Sequence, residues 1–427
     1  MLDKFLDFCR QNNLFEPNDS VLLSVSGGPD SIFMANLFNE IKNTFNLKLG
    51  IVYINHKMRD VKKEISFVKN ISKEMGIPFY FGELIEIKKS SKEELLRIQR
   101  LKKLKEIAKK YDSNKIALAH TKDDQAETII MRFLKGTALR GLSGIKPKSD
   151  EIFIHPILCF SREEILNFLK KKNICFFQDP TNYNFSFLRN KLRHIVIPFL
   201  EKEINLSLKE NLVQMAENLL ADENYLKEKA KESYLEIFKS EVPFPHFDRF
   251  KFLNLPKAIQ KRIIISILKN FNFRWEANHI DLIIDFIENK PNKEAKFLNK
   301  YLTFVSTYDN IYICPSFVPE KPIFLKKSRN LKLLGWGSSL ILSKKIKENS
   351  FGMEEKFLKK IKLTGMSYDK GFKKKMKQLK IPYPLRKYLP VFSIGNKIVW
   401  IPDFYMENIQ GKNNIFMRWK YEFNKNP

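Results

Sequence analysis

Six consecutive residues, Ser26 to Ser31 (SGGPDS), bring two glycines, two hydroxyls and one carboxylate together. The glycines let the chain bend and let an anion approach the backbone closely. If a helix starts here, its unpaired N–H groups attract phosphate, and a carboxylate beside bound phosphates is a common ligand of Mg²⁺. The segment therefore predicts a phosphate-binding loop in which Asp30 holds a metal ion, although a Gly-Gly-Pro turn with an Asp helix cap explains the same residues.

A pair of carboxylates forms the second candidate site, in the stretch His120 to Thr128 (HTKDDQAET). Asp124 and Glu127 lie three residues apart at a predicted helix start, so their side chains share one face. Such a pair could hold a metal ion, act as a general base or bind an ammonium group. Acidic residues in the first turn of a helix also compensate the helix dipole, which is the better explanation of the acids taken alone.

Strands and helices alternate along the first part of the chain and must position both sites. Val21 to Val25 is a short β-branched run that predicts a buried strand, and Ile32 to Ile41 predicts a packed helix. Further strands are predicted at Leu47 to Ile54, Pro78 to Phe81 and Lys115 to Ala119, and further helices at Val61 to Met75 and Lys92 to Tyr111. This alternation predicts an α/β fold with a doubly wound parallel sheet.

In a sheet of this kind, ligands lie beyond the carboxyl ends of the strands. His56 and Arg59 follow the second predicted strand and are therefore expected beside the phosphate loop. For His56 alone, a strand-end histidine satisfied by hydrogen bonds is the more common situation.

Two segments resemble known families. SGGPDS is similar to the signature of the PP-loop ATP pyrophosphatases, which cleave ATP to AMP and pyrophosphate, and it lacks the Lys that follows the second Gly of a Walker A loop. The segment from His120 (HTKDDQAETIIMRFLKGTALRGLSGI) resembles the diagnostic segment of the tRNA(Ile)-lysidine synthetase family. Further similar segments, within a resemblance that covers 20–200 nearly continuously, are NHKMR at 55–59, the helix with Arg97 and Arg100, HPI at 155–157, DPTN at 179–182 and FLRNKLRH at 187–194.

The resemblance implies a ligase that uses ATP and Mg²⁺ to join free L-lysine to C2 of cytidine 34 in the CAU anticodon of tRNA(Ile). It implies an adenylated tRNA intermediate and the release of AMP and pyrophosphate. Asn184 and Ile157 depart from the family pattern, at positions without an expected catalytic role.

Site residues follow from the same resemblance. The expected catalytic residues are Asp30, which would also hold the metal, Asp124, Glu127, Arg189 and Arg193. The expected ATP-binding residues are Ser26, Gly27, Gly28, Pro29, Asp30, Ser31, His56, Arg59 and His120. The expected tRNA-binding residues are Arg97, Arg100, Arg140, Lys373, Lys374, Lys375 and Arg386.

The two acids and the two distal arginines have expected roles in the second step. Asp124 and Glu127 would hold lysine and accept its proton. Arg189 and Arg193 would anchor either the lysine carboxylate or the AMP phosphate as bidentate donors, and the sequence leaves both options open.

Charge and cysteine content narrow the class of protein. The chain has 76 Lys and Arg against 48 Asp and Glu, a net charge of +28. Such a charge is typical of a nucleic-acid-binding protein, although a lysine bias from an AT-rich genome would contribute. The four cysteines form no CxxC pair, which predicts reduced thiols in the cytoplasm. Because no apolar run approaches ~20 residues, we expect no membrane partner, and the sequence implies no stable protein partner.

The length of 427 residues predicts about three domains of ~150 residues. We predict a Rossmann-like PP-loop catalytic domain over 1–200, then a connecting helix and a mainly helical tRNA-contacting domain over 201–320. A basic α+β tRNA-binding domain is predicted over 321–427. The middle region contains a predicted strand pair at Tyr301 to Cys314, and the C-terminal region contains two strands around a Gly395-Asn396 turn.

Two other functions use the same scaffold. A PP-loop tRNA thiolase would need reactive cysteines, typically paired, and this chain has no such pair. A catalytically inactive RNA-binding protein on an ATPase scaffold is disfavoured because SGGPDS retains its acid and both hydroxyls.

Overall fold

The protein is described here by a computed structural model. The structure describes residues 1–57, 61–85, 92–177, 188–240, 244–270, 275, 277–297, 302–315, 323–324, 330–333, 338–343, 350–354, 361–364, 370–386, 388–394, 397–402, 404–406 and 414–421. Two compact units are found, Met1–Glu223 and Asn224–Pro427. The three-domain division stays a prediction.

A six-stranded sheet forms the core of the first unit, with the order β3-β2-β1-β4-β6-β5. Its neighbouring strands are parallel except for the last pair, which confirms the predicted doubly wound sheet. The strands are β1 (Ser20–Ser24), β2 (Lys48–Asn55), β3 (Phe79–Glu83), β4 (Lys115–Ala117), β5 (Lys148–Ser149) and β6 (Phe153–Ile154).

Helices cover both faces of this sheet. Alternate residues of β1 pack into different cores: Val21 and Leu23 face one cluster with Phe33 and Phe38, and Leu22 faces another with Leu104. The helices of this unit are α1 (Leu2–Gln11), α2 (Pro29–Ile41), α3 (Lys62–Glu74), α4 (Lys92–Lys110), α5 (Lys122–Leu134), α6 (Leu139–Leu142), α7 (Arg162–Lys171), α8 (Leu188–Lys191), a π-helical turn (Leu192–Val196) and α9 (Ile197–Glu203).

The strand order reverses between β1 and β4. From β1 the chain proceeds to β2 and β3 on one side, and it then returns to place β4 and β6 on the other. Such a reversal leaves a crevice at the carboxyl ends of the two strands. The loops that begin at Ser26 and His120 both start at this crevice, so the topology brings the two candidate sites together.

Helix α10 (Leu208–Ile237) begins in the first unit and ends in the second. It is followed by an antiparallel sheet with the order β7-β8-β11-β10-β9. The strand pair predicted at Tyr301 to Cys314 is found as β10 and β11, whereas the other three strands were not predicted. The elements are β7 (Phe238–Ser240), β8 (His246–Asp248), α11 (Arg249–Leu253), α12 (Lys257–Asn270), α13 (Ala277–Asn289), β9 (Lys293–Phe297), β10 (Leu302–Ser306) and β11 (Asn310–Pro315).

Two further antiparallel sheets, β12-β16-β17-β18-β19 and β13-β14-β20-β15, complete the second unit. The predicted C-terminal hairpin is found as β17 and β18, and its turn residues Gly395 and Asn396 lie outside the described residues. The elements are β12 (Ile323–Phe324), β13 (Asn330–Leu333), β14 (Ser338–Ser343), β15 (Ser350–Glu354), β16 (Ile361–Thr364), α14 (Lys370–Gln378), α15 (Tyr383–Arg386), β17 (Val391–Ile394), β18 (Lys397–Ile401), β19 (Tyr405–Met406) and β20 (Asn414–Tyr421).

Across the described residues, every helix is too short or too polar to cross a membrane.

Candidate active site

The loop after β1 has the geometry of an anion cradle. Gly27 has a φ of +87°, and a Cβ at this position would lie 3.3 Å from Cγ2 of Val68, so a larger residue would be strained. The Gly27 carbonyl accepts a hydrogen bond from the backbone N–H of Phe177 at 2.8 Å. Gly28 is the N-cap of α2 and Pro29 is its first residue, so the free N–H groups of the helix start face the loop.

Hydroxyl groups hold the two ends of this loop together. The hydroxyl of Ser31 donates to the Gly28 carbonyl at 2.9 Å and accepts the backbone N–H of Ser26 at 3.2 Å. The two serine hydroxyls lie 3.3 Å apart. The predicted strand, loop and helix are therefore present, and the serines keep the loop closed around its backbone N–H groups.

The Asp30 carboxylate, at the start of α2, has an oxygen atom whose hydrogen-bonding capacity is not satisfied. Its Oδ1 is buried and has no hydrogen-bond partner. Burial and then Asp124 raise the pKa of Asp30 to about 6, against the opposing effect of Arg162 and Arg193. A buried carboxylate oxygen in this condition fits a role as cation ligand.

A magnesium ion is compatible with this donor set. No group of three or more His, Cys, Asp or Glu side chains suited to a metal is found among the described residues. A metal ion at Asp30 would therefore take its other ligands from phosphate oxygens and water, which is the usual binding mode of Mg²⁺ in nucleotide sites.

Two carboxylates of α5 pair with two guanidinium groups from later in the chain. We call these four residues the ion cluster: Asp124, Glu127, Arg189 and Arg193. Glu127 is 1% exposed and accepts Nε of Arg189 at 2.6 Å and Nε of Arg193 at 2.5 Å. Asp124 Oδ1 accepts Nη2 of both arginines, at 2.8 and 2.9 Å. The expected catalytic acids and arginines are thus brought together, but they are paired with one another.

Local helix geometry explains this pairing. Thr121 caps α5, and the Thr121 backbone N–H donates to Asp124 Oδ2 at 3.0 Å, which leaves Oδ1 for the arginines. Arg189 and Arg193 are four residues apart in α8 and the π-helical turn, so they share one face. Burial acts to raise the pKa of Asp124, but Arg189, His120 and Arg193 outweigh it, and the pKa lies below its ordinary value.

Two histidines form one wall of the site. The rings of His120 and His155 have centroids 4.8 Å apart. Nδ1 of His155 lies 2.7 Å from the Lys146 carbonyl and must therefore carry the proton. Burial lowers the pKa of His155 to about 4. Burial, and then His155, lower the pKa of His120 well below its usual value, so both rings are neutral at pH 7.

Two arginines of α4 make the same site electropositive. The Arg100 guanidinium has a buried Nε without a hydrogen-bond partner, and burial, Arg97 and Arg189 lower its pKa. Burial and Arg100 also lower the pKa of His56, at the end of β2. A partly buried guanidinium group with an unused Nε donor favours an anionic ligand.

The loop after α5 is fixed by two side chains that the sequence analysis missed. The Gln125 side chain accepts the backbone N–H of Ile145 at 2.5 Å and donates to the Ile145 carbonyl at 3.2 Å. Arg132 Nη1 donates to the carbonyls of Gly141 and Gly144, both at 2.8 Å. The carbonyl of Lys146, the residue after Ile145, accepts the hydrogen bond of His155. This loop therefore positions His155 in the wall of the site.

Asp123 and Asp124 face different partners. Asp123 Oδ2 accepts the backbone N–H of Arg162 at 2.6 Å, and its Oδ1 lies 3.0 Å from Nζ of Lys209. Lys209 also pairs with Glu201 at 3.1 Å. Asp123 therefore links the starts of α7 and α10 to the start of α5. Asp124, in contrast, belongs to the ion cluster.

Several predicted residues lie elsewhere or are not described. Arg140 is exposed on α6. Lys374, Lys375 and Arg386 belong to the second unit. Arg59 and the side chain of Lys373 lie outside the described residues. The tRNA-binding role of all these residues stays a prediction.

Comparison with known proteins gives the family. The family model of the PP-loop domain matches residues 3–200. The tRNA(Ile)-lysidine synthase of Caldanaerobacter subterraneus subsp. tengcongensis is 32% identical over 439 aligned positions, covering 95% of this chain and 94% of that protein. That of Clostridioides difficile is 32% identical over 306 positions, covering 69% of this chain and 66% of the other.

Among solved structures, a U34-tRNA thiolase from Methanococcus maripaludis with its 4Fe–4S cluster aligns with a TM-score of 0.44 and 21% identity, over 52% of this chain and 78% of that one. The family itself follows from the sequence matches, since the Caldanaerobacter enzyme is matched over nearly the full length of both chains. The chain belongs to the tRNA(Ile)-lysidine synthase family.

Proposed function

We propose that this protein uses ATP to join lysine to C2 of cytidine 34 in tRNA(Ile) with a CAU anticodon, forming lysidine and releasing AMP and pyrophosphate. One observation carries the proposal: the phosphate loop and the ion cluster share one crevice. Asp124 raises the pKa of Asp30 and Arg193 lowers it. The phosphate loop, which would hold ATP, is therefore close enough to the ion cluster, which would hold lysine, for the two to interact. The names of the relatives support the same reaction.

In the first step, the C2 oxygen of the cytidine attacks the α-phosphate of ATP. The N–H groups of the loop and of the α2 start hold the phosphates, and Asp30 would hold Mg²⁺. The metal, when bound, neutralises charge on the leaving pyrophosphate. Arg100, with its unused buried donor, is well suited to stabilise negative charge that develops in this step.

In the second step, the neutral ε-amine of lysine forms a bond to C2 of the cytidine, the C2–O bond to AMP breaks, and the proton lost by the amine nitrogen is released to solvent. The amine must be neutral to attack, and nearby cations lower the pKa of an amine. Arg100 and Arg189 supply such charges. The low pKa of Asp124 favours a role in holding an ammonium group over a role in accepting its proton.

Lysine would enter the site by partner exchange within the ion cluster. Two carboxylates and two guanidinium groups already neutralise each other. A lysine molecule brings two ammonium groups and one carboxylate, so it can pair with Asp124 and Glu127 while a released guanidinium group pairs with its carboxylate. This exchange releases two guanidinium groups but supplies only one carboxylate, so the second guanidinium group remains available for the AMP phosphate.

The cysteines give no support to a thiolase. Burial raises the pKa of Cys9 and of Cys314 above the usual range and raises the pKa of Cys159 to about 12. A thiol with such a pKa is a poor nucleophile at pH 7. Cys175 is exposed, and no other cysteine lies within several residues of it in the sequence.

The test uses the full-length protein with a tRNA(Ile) transcript that has a CAU anticodon, Mg²⁺-ATP and radiolabelled lysine. We expect labelled lysine to enter the tRNA together with equal amounts of AMP and pyrophosphate. A transcript with U34 should accept no lysine, because uracil lacks the exocyclic amine of cytosine. If the C34 transcript accepts no lysine, or if AMP forms without tRNA at the same rate, the proposal is wrong.

A further inference from the structure

Tyr383 is an unusually open aromatic side chain in the second unit. It is the first residue of α15 and is 81% exposed. The next two residues, Pro384 and Leu385, are buried, so the backbone that carries the ring is anchored while the ring itself faces solvent. Ordered, exposed rings of this kind offer a flat surface for stacking.

Arg386 lies beside this ring in a fixed orientation. Its Nε donates to the Ile381 carbonyl at 2.8 Å, and its Cζ lies 5.8 Å from the centre of the Tyr383 ring. Its two Nη groups have no hydrogen-bond or ion-pair partner among the described residues. The backbone bond thus fixes one edge of the guanidinium group and leaves the other edge available for an anion. We call Tyr383 and Arg386 together the stacking platform.

The surroundings of the stacking platform are strongly basic. Over 370–406, the sequence has a single acid, Asp403, which lies outside the described residues. The basic residues of the same segment are Lys370, Lys373, Lys374, Lys375, Lys377, Lys380, Arg386, Lys387 and Lys397. Lys374, Lys377 and Lys380 are exposed, and Lys375 lies 4.3 Å above the Tyr405 ring. This charge favours a polyanion.

We propose that the stacking platform binds one unpaired nucleotide of an RNA, with its base on the Tyr383 ring and its phosphate at the Nη groups of Arg386. The proposal rests on the proposed function for the identity of the RNA as a tRNA, and it specifies a contact beyond the phosphate contacts expected of the lysines. Bases inside a duplex are already stacked and offer no free face, whereas an unpaired base stacks on an aromatic ring.

Binding of full-length protein to two fluorescent RNAs tests this inference, without ATP or lysine. One is a short single strand and the other a blunt-ended duplex of the same base composition. We expect Tyr383→Ala to weaken single-strand binding by roughly 5- to 150-fold, which corresponds to about 1–3 kcal/mol per stacked base. Duplex binding should not change, and Tyr383→Phe should retain single-strand binding because it keeps the ring.

Two controls isolate stacking from other effects. Tyr308→Ala removes another exposed tyrosine, 62% exposed in the β10–β11 turn, and should change neither affinity. Arg386→Gln should lower the slope of log affinity against log salt for the single strand by roughly 0.7, the value of one phosphate contact. Because Tyr383 is exposed, unfolding temperatures of wild type and variants should agree.

Three outcomes would overturn the inference: no loss in Tyr383→Ala, an equal loss for duplex and single strand, or a loss in Tyr383→Phe as large as in the alanine variant. The readout does not depend on lysidine formation. An active enzyme with unchanged oligonucleotide binding would refute only the stacking platform, whereas an inactive enzyme with the expected binding pattern would refute only the proposed reaction.

Discussion

The imidazole of His155 packs against the imidazole of His120, with ring centroids 4.8 Å apart. A proton on either ring would be buried and would face Arg100, so both pKa values lie below the usual histidine value. The pair can therefore donate and accept hydrogen bonds in the crevice without adding positive charge at neutral pH.

This pair predicts a loss of stability in mild acid. His155 has a folded-state pKa of about 4 against 6.5 unfolded, so the unfolded chain binds more protons between these values, and the free energy of unfolding falls as the pH drops from 6.5 to 4. The full effect is roughly 3 kcal/mol. His155→Asn can donate to the same carbonyl but does not titrate, so urea unfolding at pH 7.5 and 4.5 should show a smaller pH effect in the variant. Equal pH effects would contradict the prediction.

Asp30→Asn should remove activity and stabilise the free protein. The pKa of Asp30 is raised to about 6 from 3.8, so the folded state binds more protons than the unfolded chain between these values. At pH 7.5 the carboxylate of Asp30 is ionised and therefore lowers the free energy of unfolding. The variant should unfold at higher urea, by about 1–3 kcal/mol, and this difference should vanish near pH 4. Mg²⁺-ATP should stabilise wild type only.

The control for this substitution is Asp112→Asn, at an exposed position with a φ of +53° that suits asparagine. It should change neither activity nor the response to Mg²⁺-ATP. Near-native turnover in Asp30→Asn would remove the metal-ligand role.

Glu127→Gln should separate the two chemical steps. The amide keeps the shape of a side chain that is 1% exposed but lacks the charge that we propose pairs with lysine. Transfer of labelled AMP to tRNA without lysine should persist, while the lysine requirement rises roughly 10- to 150-fold, as for loss of one charge-assisted contact of ~1.5 to 3 kcal/mol. Glu210→Gln, at a half-exposed ion pair with Lys122, is the control. Loss of AMP transfer with unchanged lysine dependence would instead assign Glu127 to the ATP site.

Gly144→Ala should displace the loop after α5. Its φ is +65°, and an added Cβ would lie 2.4 Å from Oε1 of Gln125. Gly136→Ala is a matched control, because its φ is +68° with no atom within 4 Å of the added Cβ. Both variants carry backbone strain of about 1 kcal/mol, so the difference between their unfolding free energies measures the clash with Gln125, which we expect to add about 1–3 kcal/mol. Equal destabilisation would show that the loop adapts.

Local pattern was enough to place the phosphate loop and the strands around it. Ser26 to Ser31 and the start of α5 were predicted because glycines, a cap and short apolar runs act over a few residues. Spacing also put Asp124 and Glu127 on one face. It could not show that these acids bind arginines more than 60 positions later, nor that His155 packs on His120, because such contacts depend on how α8 and β6 pack in three dimensions.

The strands of the second unit were harder to predict, because their pairing also depends on packing in three dimensions. The β10–β11 pair alternates regularly around Asp309 and Asn310, and it was predicted. Strands β7 and β8 have three residues each, too few for an alternation to be recognised. In the sheet β8 pairs with β11 and β7 pairs with β8, and no local pattern encodes either pairing.

The carboxylate of Asp124 divides its two oxygens between two tasks: Oδ2 closes the capping box of α5, and Oδ1 neutralises two guanidinium groups. Asparagine could cap the helix but would turn an amide group or a neutral oxygen toward the two guanidinium groups. Glutamate would move both carboxylate oxygens away by one bond length. The folding of α5 and the proposed role in lysine binding therefore require the same residue at position 124. In a randomised library at position 124, screened only for soluble, protease-resistant protein, aspartate should be recovered without any screen for catalysis.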